Sequence, residues 1–299
     1  DFTKVGEVLL HGTNWWWMFF SLLFGVLAQV FRGWRWKQML EPLEAFPKRS
    51  DCVNAIFISY AASLIVPRVG EVSRCGVLAK YDNVSFAKSL GTVVTERLVD
   101  TLTILLITGV TVLLQLPIFV TFLQQTGTKI PSLLHLLTSV WFYIVLFCFI
   151  GVGMLLYYLR KTLFFYERVK GFVLNIWEGV MSLKGVRNIP LFSFYTLAIW
   201  GCYFFHFYFT FYCFAFTAHL SILAALVMFV GGTFAVIVPT PNGAGPWHFA
   251  VISMMMLYGV NETDAGIFAL IVHGIQTFLV VLLGVYGLAA LSLTNRQRK

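Results

Sequence analysis

Apolar positions run in blocks along this chain rather than alternating with polar ones, and the block lengths predict its elements. A helix that crosses a bilayer needs about 20 largely apolar residues. Blocks at roughly 15–31, 98–116, 139–159, 193–217 and 265–293 meet that requirement. Two further runs are cut short. Residues 51–66 end at Pro67-Arg68-Val69-Gly70-Glu71, and residues 222–238 end in the break from Pro239 to Pro246, with a second short apolar run to Tyr258. The two resemble one another, Ser63-Leu64-Ile65-Val66-Pro67 beside Ala235-Val236-Ile237-Val238-Pro239. Each predicts a helix that stops and turns back. The second break carries no charge, which favours a re-entrant hairpin over two full spans. Non-helical backbone at that depth must be buried in protein or line a wet cavity.

Lys and Arg positions predict orientation. Of the 21, 19 fall in residues 32–49, 68–97, 160–187 and the tail, all assigned to one side or entering from it, leaving Lys4 and Lys129 on the other. The positive-inside rule makes the rich side cytoplasmic, together with the C-terminus. Residues 160–190 interleave Arg160, Lys161, Arg168, Lys170, Lys184 and Arg187 with Phe164, Phe165, Tyr166, Phe172, Ile176 and Trp177, the pattern of a helix lying on the inner leaflet. The short runs enter from opposite sides. With one more spanning helix ahead of residue 1, the order span, span, hairpin, span occurs twice, the second time upside down. The predicted fold is therefore all-α and polytopic, an inverted three-plus-three repeat with two broken re-entrant hairpins. It forms one membrane domain over 1–299, with halves at about 1–116 and 139–299.

Composition agrees. Of 299 residues, 59% are hydrophobic and 11% charged, against about 25% charged in a soluble domain. That excludes a water-soluble enzyme and a nucleic-acid binder, and makes the net charge of +8 a matter of topology. The five cysteines have no metal-ligand or disulfide spacing, and the spacing of His206, His248 and His273 asks for no metal. His206 and His273 read as hydrogen-bonded core histidines. No nucleotide-binding or hydrolase motif is present, and no cofactor is implied.

Paired interrupted segments in an inverted repeat point to a midplane substrate site. At the first break, Arg68 and Arg74 with a half-helix N-terminus suit a phosphate, and Glu71 bridges the arginines or titrates; the alternative is an Arg–Glu pair that only closes the hairpin. At the second, Asn242-Gly243-Ala244-Gly245 offers backbone N–H groups to an anion, and His248 adds a switchable proton. Glu96, Arg97 and Asp100 share a helix, where Arg97 reaches Asp100 three residues on. Local ion pairing and substrate contact both remain open for them. Arg32 and Arg35, beside Trp34 and Trp36, read as an interfacial anchor that could also receive a headgroup.

Four motifs in order carry a resemblance: Arg32-x-x-Arg35-Trp36, Pro67-Arg68-x-Gly70-Glu71-x-x-Arg74, Glu96-Arg97-x-x-Asp100 and Pro241-x-Gly243-x-Gly245. They resemble the lysylphosphatidylglycerol synthase transmembrane, or flippase-like, family over nearly the whole chain. Two positions depart from its pattern. His248 stands where the family usually has a glutamate, and Asn242 replaces the first of its paired glycines. The resemblance covers the membrane domain only, without the soluble aminoacyl-transferase domain, so use of aminoacyl-tRNA is not expected of these residues. The resemblance implies a plasma-membrane lipid transporter moving an anionic phospholipid or a polyprenyl-phosphate-linked lipid, with a lipid-synthesising enzyme as possible partner. The alternatives are a membrane transferase acting on a lipid-linked sugar, and a non-transporting subunit of an envelope complex.

Overall fold

The computed structural model describes residues 2–117, 120, 147 and 166–296. Within them the chain is helical, with no strand beyond a single bridge between Thr13 and Phe214. In order come α1 (Phe2–Glu7), α2 (Trp15–Leu40), α3 (Arg49–Ile65), α4 (Val69–Asp82), α5 (Phe86–Leu114), α6 (Tyr166–Met181), α7 (Ile189–Tyr208), α8 (Ile222–Ala235), α9 (Pro246–Leu257) and α10 (Glu262–Arg296). Four helical stretches, Trp15–Leu43, Phe86–Leu114, Ile189–Cys213 and Glu262–Thr294, are long and apolar enough to cross a membrane. They coincide with four predicted spans. The fifth, 139–159, lies outside the described residues, as do Arg160, Lys161, Phe164 and Phe165.

Helix ends follow local chemistry. Asn14, Ser85, Asn188 and Ser221 each place a side-chain oxygen on a backbone N–H of the first turn, at 3.2, 3.5, 3.0 and 3.2 Å, starting α2, α5, α7 and α8. Pro67 forces Val66 into extended geometry (φ −129°, ψ 118°) and stops α3. Arg68 follows at φ 66°, a left-handed conformation uncommon for a residue with a Cβ. Two helices exceed their predicted spans: α2 runs on to Leu40, and α5 begins at Phe86 rather than near 98. A hydropathy window stops at Glu96 and Arg97 because it cannot see that these charges are matched by neighbouring helices.

α3 and α4 pack against one another, as do α8 and α9, so each break closes a helical hairpin. α6 lies against the first half of α5. Thr95 Oγ1 donates to the Val180 carbonyl at 3.1 Å, and a Cβ on Gly179 would meet the Lys88 carbonyl at 2.3 Å. Only two facing glycines, Gly91 and Gly179, allow that approach. Phe172, Val173, Leu174 and Trp177 are left exposed on α6. One apolar cluster joins Met18, Phe211, Met228, Val251 and Phe268, drawn from α2 and the second half of the chain. Another joins Trp36, Ile56, Leu78 and Val93 from α2 to α5. α2 serves both, and also packs along α7, so it ties the halves together.

Contacts sort the helix ends. The Asn14 N–H bonds the Cys213 carbonyl at 2.8 Å, Lys4 pairs with Asp264 at 2.8 Å, and the Tyr258 hydroxyl donates to Gln115 Oε1 at 3.1 Å. These gather the start of α2, the ends of α5 and α9 and the start of α10. At the opposite ends, Lys88 of α5 pairs with Glu178 of α6 at 2.8 Å.

Candidate functional site

Where α2, α4 and α5 meet, five charged side chains are buried together. Arg32 Nη1 donates to Glu96 Oε1 at 2.6 Å and to Asp100 Oδ2 at 2.7 Å. Arg35 Nη2 donates to Asp100 Oδ1 at 2.7 Å, and Arg74 Nη1 to Glu96 Oε2 at 2.9 Å. Arg35 and Glu96 are 0% exposed and Arg74 is 1% exposed. The Arg74 guanidinium also stacks over the Trp36 ring, 4.8 Å from its centroid. The spacing explains the gathering. Arg32 and Arg35 are three residues apart on α2, and Glu96 and Asp100 four apart on α5, so each pair presents one face. Low local dielectric strengthens these bonds and makes any missing partner costly.

This geometry corrects the interfacial anchor. Arg32, Arg35 and Trp36 are buried, because α5 and α4 supply the partners that water or headgroups would otherwise provide. It also separates Arg74 from Arg68. Arg68 sits ahead of α4 in a left-handed conformation and reaches the second break, whereas Arg74, inside α4, turns to Glu96 and Trp36. Nor does Glu71 bridge the two arginines. Its Oε1 lies 2.7 Å from Arg97 Nε, near enough for an ion pair but outside hydrogen-bond alignment. Arg97 also sits 3.8 Å from Asp100, the predicted contact three residues on.

The two breaks meet. Arg68, exposed at the end of its hairpin, donates from Nη2 to the Ile237 carbonyl at 3.2 Å. In the second break Asn242, Gly243 and Gly245 all have positive φ (53°, 73° and 91°). A Cβ on Gly243 would stand 2.7 Å from Val236 Cγ2, so both conformation and space call for glycine. The backbone N–H groups here are not free as the pattern suggested. Those of Gly243 and Ala244 bond the Thr240 and Pro241 carbonyls at 3.2 and 3.0 Å. That of Gly245 donates to His248 Nδ1 at 3.4 Å. A tight turn satisfies its own donors.

His248, third in α9, therefore accepts the N-cap N–H, the bond that a glutamate makes at that position in a capping box. Its ring lies 4.6 Å from that of His273 on α10, centroid to centroid. A carbonyl can only accept, so the 3.0 Å contact from His273 Nε2 to the Asn242 carbonyl assigns that nitrogen a hydrogen. Asn242 Nδ2 donates to Thr277 Oγ1 at 2.6 Å. His273 thus belongs to the second break and is not a plain core histidine. His206 is one: its Nδ1 donates to the Ser21 carbonyl at 2.6 Å, joining α7 to α2.

Beside the breaks lies a chamber of about 370 Å³ lined by Arg97 of α5, Tyr60, Trp200, Tyr203, Thr233, Trp247 and Gln276. A smaller one, about 190 Å³, shares Tyr60, Tyr203, His206, Trp247 and Gln276 with it and extends to Gln29, Asn242 and His273. The Tyr60 and Tyr203 hydroxyls bond at 2.6 Å across this shared wall. Sequence reasoning missed Tyr60, Tyr203, Trp200, Gln29 and Gln276. They come from four helices, and nothing in their spacing groups them.

Together these features define an all-α, multi-pass membrane protein with a buried ionic cluster, two facing helix breaks and an aromatic chamber beside them. The chain matches the family described as Lysylphosphatidylglycerol synthase TM region over residues 1–284, and it belongs to that family. No match was found among curated proteins or among solved structures. Membership supports a function related to membrane lipids.

Proposed function

We propose that this protein is a flippase-like transporter that moves an anionic lipid between the leaflets of the plasma membrane. The observation that carries this reading is the contact of Arg68 with the Ile237 carbonyl, which joins the two breaks. α3 and α8, at 17 and 14 residues, are about 26 and 21 Å long at 1.5 Å per residue, each short of a bilayer core of about 30 Å. α3 starts at the end of the molecule marked by Lys88 and Glu178, and α8 at the end marked by Gln115 and Tyr258. Their tips touching supports two re-entrant hairpins entered from opposite faces, hence an inverted repeat with its breaks at mid-depth. With the basic loops inside, the C-terminus is cytoplasmic.

In this reading the lipid phosphate is held at the junction by Arg68, with Asn242, Gly243, Gly245 and His248 forming the opposite rim and Glu71 holding Arg97 toward the chamber. Arg35, Arg74, Glu96 and Asp100 brace the helices that carry the site. The headgroup passes through the protein while the acyl or prenyl chains stay in lipid. A lipid-synthesising enzyme is the implied partner. The test is leaflet exchange of a labelled anionic lipid in proteoliposomes. Arg68→Ala is expected to slow exchange about 10-fold or more, the loss of a charge-assisted hydrogen bond of about 1.5–3 kcal/mol. Lys184→Ala is expected to leave it unchanged. Normal exchange by folded Arg68→Ala protein would reject the site.

A further inference from the structure

The chamber beside the breaks has a chemical character of its own. Among the described residues no carboxylate lines either compartment, and Arg97 lines the larger one. The face of Tyr203 is already taken by a cation, since Arg32 Cζ lies 5.8 Å from its ring centroid. No carboxylate in the lining offers an ammonium headgroup a counter-charge, and behind the wall the charges of Arg32, Arg35, Arg74 and Arg97 against Glu71, Glu96 and Asp100 leave a net of +1. The chamber also holds polar atoms without partners. Trp200 Nε1 and Gln276 Nε2 are buried donors, and Oε1 of Gln29, a residue 4% exposed, is a buried acceptor. Unsatisfied groups of this kind carry a desolvation penalty and reward a ligand that supplies the missing partner. Oxygen atoms that both accept and donate, as hydroxyls do, fit the set. The volume of about 370 Å³ is at the small end for ligand pockets, of order 300–1,000 Å³, and suits a headgroup rather than a whole lipid.

We infer that the chamber recognises a phosphate-linked, uncharged, hydroxylated headgroup and rejects cationic ones, including choline and aminoacyl forms. This rests on the reading of the breaks as a lipid-headgroup site and names the lipid class that site takes. The phosphate stays at the Arg68 junction. The hydroxyls enter between Trp200, Trp247 and Gln276. A choline offers no donor or acceptor to Trp200 or Gln276 and would leave both unpaired, and a lysyl headgroup adds positive charge beside a set of paired groups whose net charge is already +1. Such a headgroup exists on glycerophospholipids, as glycerol, and on isoprenoid lipids, as a hexosyl phosphate.

The experiment is direct binding by calorimetry to the full chain in detergent, with short-chain, water-soluble probes: dihexanoyl phosphatidylglycerol, its lysyl ester, dihexanoyl phosphatidylcholine and citronellyl phosphoglucose. The hydroxylated probes are expected to bind at least about 10-fold tighter than the lysyl and choline forms. Preference for the glycerol probe alone assigns a glycerophospholipid, and for the glucose probe alone an isoprenoid lipid. Trp200→Phe, which keeps the ring and removes the donor, should bring the probes within about 3-fold of one another. Gln276→Glu supplies the absent carboxylate and should raise lysyl-probe binding, a gain that misfolding cannot produce. Equal or tighter binding of the choline or lysyl probe by the unmodified chain overturns the inference, as does an unchanged preference in both variants. Because binding is read without transport, a chain with the preference but no leaflet exchange refutes the transport reading alone, and exchange without the preference refutes this inference alone.

Discussion

Glu96→Gln is the most informative single change, because it keeps shape and removes one charge from the buried cluster. Glu96 accepts from Arg32 at 2.6 Å and Arg74 at 2.9 Å, lies 3.5 Å from Arg35, and is fully buried. The cluster holds three guanidinium groups against two carboxylates, so its buried charge is +1 and would become +2. Breaking a buried pair by removing one partner costs about 3–5 kcal/mol, mostly the uncompensated charge left behind. The same change at Glu71, whose side chain is 36% exposed, should cost no more than about 1 kcal/mol after solvent screening. Adding Arg74→Met to Glu96→Gln leaves Arg32 and Arg35 against Asp100 and restores the buried charge to +1. The double variant is therefore expected to be more stable than Glu96→Gln alone, a coupling that a double-mutant cycle reads directly. Reversible unfolding in mixed detergent micelles measures all of these. Wild-type stability for Glu96→Gln, or additive losses in the double variant, would show that water reaches the cluster and that its charges are not desolvated.

Gly179→Val should disrupt the α5–α6 contact, since even its Cβ would stand 2.3 Å from the Lys88 carbonyl; a disulfide between cysteines placed at positions 88 and 178 should form far more slowly in that variant. Gly243→Val forces a branched side chain onto a φ of 73° and into Val236, and is expected to slow leaflet exchange about 10-fold or more by distorting the second break while α2, α5, α7 and α10 stay folded by circular dichroism. His248→Glu preserves the acceptor for the Gly245 N–H and should keep exchange within about 3-fold of normal, whereas His248→Leu should lose most of it. A cysteine in place of Lys184 should label only after the membrane is permeabilised, and one in place of Lys4 from outside; the reverse pattern would invert the topology.

Much of the architecture is legible before folding because it depends on local quantities. The length of an apolar block decides whether a helix can span, and Pro67 ends α3 by steric exclusion at Val66 whatever surrounds it. Asn14, Ser85, Asn188 and Ser221 mark starts for the same local reason. The positions of Arg68 and the Asn242–Gly245 turn were visible in the same way, as charge and glycine at paired breaks. Charge in the lower half of α5 misled the span boundary, since hydropathy sums a helix as if it stood alone. Which charge meets which was decided in three dimensions. Glu96 is 22 residues from Arg74 and 64 from Arg32, and only the packing of α2, α4 and α5 brings all of them within 3 Å. The same holds for His273 beside His248 and for the chamber formed by Tyr60, Tyr203, Trp200 and Gln276. Local pattern determined the helices, their breaks and the positions of charge and glycine at those breaks. Tertiary packing decided which of those residues are consumed by partners and which stay exposed, because pairing energy depends on distances that no spacing along the chain encodes.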